Sequence, residues 1–167
     1  MSILRRYHTD ANIYFITNVT RQRSPILVKN IDLLWKSIEN TKEKTEFKMI
    51  AWVILPDHFH FLINPFGHDI SNIMQRIKMS FSSYYRLRQG INMGRIWQNR
   101  FWDHVIRDND DMNRHIDYIH INPVKHGYTQ NPIEWQHSSF RKYVEGGFYT
   151  EGWGAGEMAY TEGIFGE

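Results

Sequence analysis

The chain has 167 residues, no cysteine, 41% hydrophobic residues and a formal net charge of +2. This suits one domain with a single sizeable core and excludes disulfides and thiolate metal sites. No stretch reaches the roughly 18 apolar residues of a membrane span, and Met1 to Arg6 lacks the apolar run of a signal peptide, so a cytoplasmic protein is expected. Asn12 to Thr20 is rich in β-branched and aromatic residues and predicts a strand. Ile31, Leu34, Trp35 and Ile38 recur at helical spacing and predict an amphipathic helix over about 30–42. Phe47 to Leu55 and His58 to Asn64 predict two strands joined at Pro56-Asp57 as antiparallel neighbours. Ile70, Ile73, Met74, Ile77, Phe81, Tyr84 and Tyr85 mark a long helix ending near Gly90. Ile96 to Ile106 predicts a fourth strand. The acidic cluster Asp108 to Asp111 suits a helix start, and that helix is expected to end at Asn122, before Pro123. Pro132 to Tyr143 predicts a last helix. Residues 1–145 are read as one domain, and 146–167 as a Gly-rich, aromatic and acidic tail. Strands separated by helices, with short hairpin connections, give an α+β fold: an antiparallel sheet of four to five strands covered by helices.

Charge is unevenly spread. From Ser71 to Arg107 the chain carries Arg76, Lys78, Arg86, Arg88, Arg95, Arg100 and Arg107 against one acid, Asp103. After Gly146 it has only acids. A basic middle interleaved with aromatics points to a phosphate-rich partner, although a solvated helix face is the commoner origin of such charge. Arg76, Arg86 and Arg88 are the phosphate-contact candidates. Arg5, Arg6, Arg21 and Arg23 are candidates for reading a base sequence.

The chemistry concentrates in Pro56-Asp57-His58-Phe59-His60-Phe61. Strand side chains alternate faces, so His58 and His60 project together while Phe59 and Phe61 project opposite. Two imidazoles on a rigid strand form two-thirds of a catalytic metal site; a pair of structural histidines is the competing origin. Downstream, His115, Tyr118 and Asn122 fall on one helical stripe about 60° wide, beside the apolar stripe of Met112, Ile116 and Ile119. His120 lies on the other flank. A tyrosine beside a metal suits covalent nucleophilic catalysis, and a divalent cation polarises a phosphodiester's non-bridging oxygens. Asn122 offers a third ligand oxygen. Such mixed imidazole and oxygen ligands suit Mn²⁺, or less comfortably Mg²⁺.

The histidine-hydrophobe-histidine strand followed by a helical tyrosine resembles the HUH endonucleases, specifically single-tyrosine transposases. Tyr118-Ile119-His120-Ile121-Asn122-Pro123-Val124-Lys125-His126-Gly127 and Trp135-Gln136-His137-Ser138-Ser139-Phe140-Arg141-Lys142-Tyr143 are very similar to the REP-associated tyrosine transposases. Arg6-Tyr7-His8 and Ile96 to Arg107 are also family-like, so the resemblance runs to about Gly154. It implies a ferredoxin-like sheet and metal-dependent cutting of single-stranded DNA at hairpins formed by palindromic REP elements. Tyr118 would attack the scissile phosphate, giving a 5′-phosphotyrosine link and a free 3′-hydroxyl. His58, His60 and, by position, Asn122 would hold the metal. Other single-tyrosine transposases work as dimers, but the REP-associated branch implies a monomer acting at the nucleoid.

Two other classes compete with this reading. Histidine-triad hydrolases need a third alternating histidine, and metallo-β-lactamase-like enzymes need a following Asp-His; Leu62-Ile63 stand there instead. A non-catalytic protein that binds single strands by stacking and phosphate contacts is the stronger alternative.

Overall fold

The computed structural model describes residues 12–156. Its elements follow in the order β1 (Tyr14–Val19), α1 (Ile31–Lys42), β2 (Lys48–Ile54), β3 (His58–Asn64), α2 (Ile70–Gln89), β4 (Trp102–Val105), α3 (Asn109–Lys125) and α4 (Phe140–Glu145). The four strands form one antiparallel sheet in the order β2-β3-β1-β4. The β1-α1-β2-β3-α2-β4 succession is the ferredoxin-like double βαβ arrangement.

Strand alternation splits the core in two. Ile16, Ile54, Phe59, Phe61 and Ile63 pack against Leu34 and Ile38 of α1 and Ile73, Met74, Ile77 and Phe81 of α2. Phe15, Ala51, Val53 and Leu62 face the other way, onto Met112, Ile116 and Ile119 of α3. Phe59 and Phe61 are fully buried, each contributing about 2 kcal/mol by transfer from water. Helices on both faces thus hold β3 rigid along its whole length.

The helix ends obey capping chemistry. The Asp69 carboxylate accepts from Ser71 N–H at 2.9 Å to start α2, and Gly90 closes it in the left-handed region at φ 65°. Asp108 accepts from Asp111 N–H at 2.7 Å to start α3.

Three elements depart from the sequence expectation. The fourth strand is only Trp102–Val105, because residues 98–101 loop out between the Thr17–Trp102 pair and the Thr20–Trp97 bridge, where only two residues of the partner strand are available to face them. A lone bridge, Thr20 to Trp97, is all that survives of its predicted first half. Helix α3 runs through Pro123 to Lys125. Proline removes one N–H in the last turn, where His126 N–H still donates to the Asn122 carbonyl at 3.0 Å and Tyr128 N–H to the Pro123 carbonyl at 2.9 Å. The predicted helix over 132–143 is broken. A 3₁₀ turn, Pro132–Glu134, and α4 flank an extended stretch that satisfies the outer edge of β2. There Ile54 N–H donates to the His137 carbonyl and Ser139 N–H to the Trp52 carbonyl, both at 2.9 Å. Beyond α4, Tyr149 is buried against Phe140 and Tyr143 and donates to Asp117.

Candidate active site

His58 and His60 occupy the first and third positions of β3, both buried, with ring centroids 5.1 Å apart. Each ring is held through Nδ1. The His58 Nδ1–H donates to Asp57 Oδ1 at 2.7 Å, and Asp57 Oδ2 accepts from Arg23 Nη1 at 3.2 Å. Burial pushes the Asp57 carboxyl up, but hydrogen bonding to His58 and Arg23 outweighs it, so Asp57 titrates below the usual carboxylate range. His60 Nδ1 shares a hydrogen bond with Thr17 Oγ1 at 2.8 Å, because the β1–β3 register sets these two residues opposite each other. With both Nδ1 atoms engaged, Nε2 is the atom on each ring through which a metal could be held, the arrangement in which a second residue orients a metal-binding histidine.

Helix α3 lies across this pair. The Tyr118 ring sits 5.3 Å from the His60 ring, and the His126 ring 5.0 Å from the His58 ring. Asn122, fully buried, lies midway between them, four residues from each along the same helical row. The row 118-122-126 therefore runs alongside 60-58, with Asn122 between the two ring contacts. Two imidazoles and a carboxamide are a donor set suited to a hard or borderline divalent cation. The predicted set, His58, His60, Tyr118 and Asn122, is thus brought to one end of the sheet.

Tyr118 is 1% exposed, its ring against Phe15 at 6.0 Å. Its hydroxyl accepts a hydrogen bond from Lys125 Nζ at 3.1 Å. The ammonium also lies 4.8 Å from the ring centroid. A cation on a phenol hydroxyl favours the phenolate.

A second cluster stands at the other end of α3. His104, Asp111 and His115 offer donor atoms within 4.8 Å of one another, as a divalent cation would require. The hydrogen bonds recorded there already form a clamp. Asp111 Oδ2 accepts from His104 Nε2 at 2.7 Å and from Arg107 N–H at 3.0 Å, and His115 Nδ1–H donates to the Asp111 carbonyl at 2.8 Å. The His104 and His115 rings stack at 4.7 Å, tilted by only 14°, so their in-plane lone pairs do not converge on one ion. Burial would raise the Asp111 carboxyl, but the His104 hydrogen bond and the Arg107 N–H drive it far below the usual range. Burial pushes His115 down, toward its neutral form. The clamp ties β4 to the start of α3, and the His115 ring packs 4.7 Å from Phe15, which also contacts Tyr118.

The arginine candidates scatter. Arg5 and Arg6 lie outside the described residues. Arg21 and Arg23 are exposed in a 3₁₀ turn beside Asp57, with Gln22 and Arg23 at φ 55° and 51°, a strained backbone next to the histidines. Arg76 is exposed on α2. Arg86 donates to the Gly94 carbonyl at 2.6 Å. Arg88 is committed to Asp32 at 2.9 Å and Asn30 at 3.1 Å, so its charge is largely neutralised within the protein.

Three participants were not nominated from sequence: Asp57, Thr17 and Lys125. Asp57 directly precedes His58, and Lys125 lies two helical turns beyond Tyr118, so both were findable by spacing. Thr17 has no local signal, because its role exists only through strand pairing.

This fold and site define a ferredoxin-like protein with a strand-borne histidine pair facing a helical tyrosine. Residues 9–121 match the family described as Transposase IS200 like. A REP-associated tyrosine transposase of Escherichia coli K12 is 36% identical, over 98% of this chain and 97% of its own length. A relative from Haemophilus influenzae is 37% identical over 92% of this chain and 94% of its own. A solved REP-associated tyrosine transposase bound to a REP hairpin superposes with a TM-score of 0.81 at 36% identity, covering 100% of this chain and 98% of the other. The chain belongs to the IS200-like transposases, within the REP-associated tyrosine transposase group. No helix among the described residues is long and apolar enough to cross a membrane.

Proposed function

We propose that this protein is a single-stranded DNA endonuclease and strand transferase acting beside hairpins of palindromic repeats, with Tyr118 as nucleophile. The observation that carries this reading is the alignment of Tyr118 and Asn122 on α3, and of His126 at its C-terminal cap, with His60 and His58 on β3. The similar structure bound to a REP hairpin supports the choice of DNA partner.

The Tyr118 hydroxyl attacks the scissile phosphorus. The Oη–P bond forms as the P–O3′ bond breaks; the phenol gives up its proton, and the departing 3′ oxygen takes one to become a hydroxyl. The chain is left joined to a 5′ phosphate, and reversal of the step rejoins DNA without a nucleotide triphosphate. Lys125 holds the phenol oxygen and favours its ionised form. Its own exposure lets it move aside as the phosphate arrives. His58, His60 and Asn122 would hold Mn²⁺ or Mg²⁺, which supplies polarisation of the non-bridging oxygens. Asp57 and Thr17 fix the two imidazoles for that role. Both halves of the site come from one chain, which supports a monomeric enzyme.

The burial of Tyr118 favours a second reading, a non-catalytic hairpin-binding protein. Peptide mapping after incubation with a hairpin oligonucleotide and Mn²⁺ separates the two. A nucleotide adduct on the peptide containing Tyr118 is expected; an adduct on another residue removes Tyr118 as nucleophile, and complete absence of adduct leaves a binding protein.

A further inference from the structure

On the flank of α3 away from Tyr118, a row of buried polar groups ties the helix to the rest of the fold. Ser139 Oγ accepts from Trp52 N–H at 2.9 Å and lies 2.8 Å from His120 Nε2. His120 Nδ1 lies 3.3 Å from the Tyr149 hydroxyl, which donates to Asp117 Oδ1. One assignment gives every proton in this row an acceptor. Ser139 Oγ–H donates to His120 Nε2, His120 Nδ1–H to Tyr149 Oη, and Tyr149 Oη–H to the Asp117 carboxylate. The Trp52 carbonyl, at 3.2 Å, is the more distant acceptor for the serine hydroxyl. His120 is fully buried, and Ser139 and Tyr149 nearly so. The rings of Phe140, Tyr143 and Tyr149 close around the imidazole, with centroids 5.6, 4.7 and 5.4 Å from it. In such surroundings each bond is stronger than it would be in water, and breaking one strands its buried neighbours.

The row reaches α3 from two parts of the fold. Ser139 belongs to the extended stretch on the β2 edge, where its N–H donates to the Trp52 carbonyl at 2.9 Å. Tyr149 belongs to the stretch after α4, which lies directly on α3. There a Cβ at Gly154 would stand 2.6 Å from Ile121 Cδ1, and the Trp153 ring packs 4.4 Å from the Tyr149 ring. At 100° per residue, Asp117 and His120 fall on one side of the apolar stripe of Met112, Ile116 and Ile119, and Tyr118 and Asn122 on the other. Apolar packing is non-directional and leaves a helix free to roll about its stripe, whereas hydrogen bonds fix direction. A roll of about 20° would carry a tyrosine hydroxyl about 3 Å sideways, given its reach from the helix axis.

We infer that Asp117, His120, Ser139 and Tyr149 are positioning residues for strand cleavage: their hydrogen-bonded row sets the roll of α3 and so holds Tyr118 and Asn122 over His60 and His58. Asp117 directly precedes Tyr118, so the anchor and the nucleophile are adjacent in the chain. Each of the four acts through the helix that carries the nucleophile rather than on the phosphate. The inference rests on the assignment of Tyr118 as nucleophile. It gives a role to a fully buried histidine on the helix flank that the histidine pair of β3 does not use.

Tyr149→Phe is the main variant, because it removes the hydroxyl that links His120 to Asp117 and keeps the ring that packs on Phe140. Single-turnover cleavage of a hairpin oligonucleotide in Mn²⁺ is followed against protein concentration, which separates the maximal rate from the apparent affinity. Melting temperature checks that the fold is kept. The maximal rate is expected to fall about 100-fold, the scale of a misplacement of about 1 Å, with the half-saturating concentration unchanged. Asp117→Ala is expected to show the same loss. Asp117→Asn keeps an acceptor for the Tyr149 hydroxyl and is expected to recover part of the rate. Wild-type rates in Tyr149→Phe and Asp117→Ala, or a fall in rate matched by an equal fall in affinity, overturn the inference. Absence of cleavage and of adduct in wild type would instead overturn the assignment of Tyr118 as nucleophile.

Discussion

Lys125 donates a hydrogen bond to the Tyr118 hydroxyl at 3.1 Å, across two turns of α3. The contact pairs the proposed nucleophile with an exposed cation on the same helix. An unperturbed phenol ionises near pH ~10, so such a partner is what a tyrosine nucleophile needs near neutrality.

Replacing the ammonium therefore has a defined signature. Lys125→Met is expected to slow single-turnover cleavage by about 100-fold at pH 7 and to move the rising limb of the pH–rate profile to higher pH. Lys125→Arg restores part of the rate. A uniform loss at every pH, with hairpin binding equally weakened, would reduce Lys125 to a phosphate contact.

The bonds that orient the imidazoles predict metal affinity. Thr17→Val keeps side-chain volume but removes the Oγ1 partner of His60, and Asp57→Asn removes the carboxylate on His58. Each is expected to weaken Mn²⁺ binding by about 10- to 100-fold by calorimetry, as other outer partners of metal-bound histidines do. Unchanged affinity in both variants would separate these bonds from metal binding.

Much of this is legible in the sequence. Period-2 alternation in His58 to Asn64 fixed which face the histidines take, and the apolar repeat of α2 ran to its glycine cap as expected. The row of His115, Tyr118 and Asn122 was equally readable at helical spacing. What escaped depends on distant partners. Trp135 to Ser139 carries helix-compatible residues but is recruited as an extended edge to β2, a tertiary demand that local propensity does not record. Residues 98–101 alternate well enough for a strand, yet β1 stops before it can pair with them. Pro123 reads as a helix stop, but it sits in the last turn, where the loss of one N–H is small against the packing of buried Asn122 and Val124.

The Asp111 clamp makes stability fall in acid. The Asp111 carboxyl is held below its unfolded value of about 3.9, so its contribution is complete above that pH and is lost as pH falls below it. His115 is held below its unfolded value of about 6.5, so the unfolded chain takes up that proton first and stability also declines below about pH 6.5. Asp111→Asn is expected to cost about 3 kcal/mol at pH 7, the scale for breaking a buried charged network, with a smaller deficit near pH 3. Denaturant melts at the two pH values check this; an equal deficit at both would contradict it.

The nucleophile is the central claim, and one experiment addresses it most directly. A labelled single-stranded hairpin from the repeats flanking the gene is incubated with Mn²⁺ and either wild-type protein or Tyr118→Phe, then resolved on a denaturing gel. Wild type is expected to give a covalent protein–DNA band and a shortened strand, both lost without metal. Tyr118→Phe is expected to give neither while still binding the hairpin. Cleavage by Tyr118→Phe, or tight hairpin binding by wild type with no adduct in Mn²⁺ or Mg²⁺, would contradict the account.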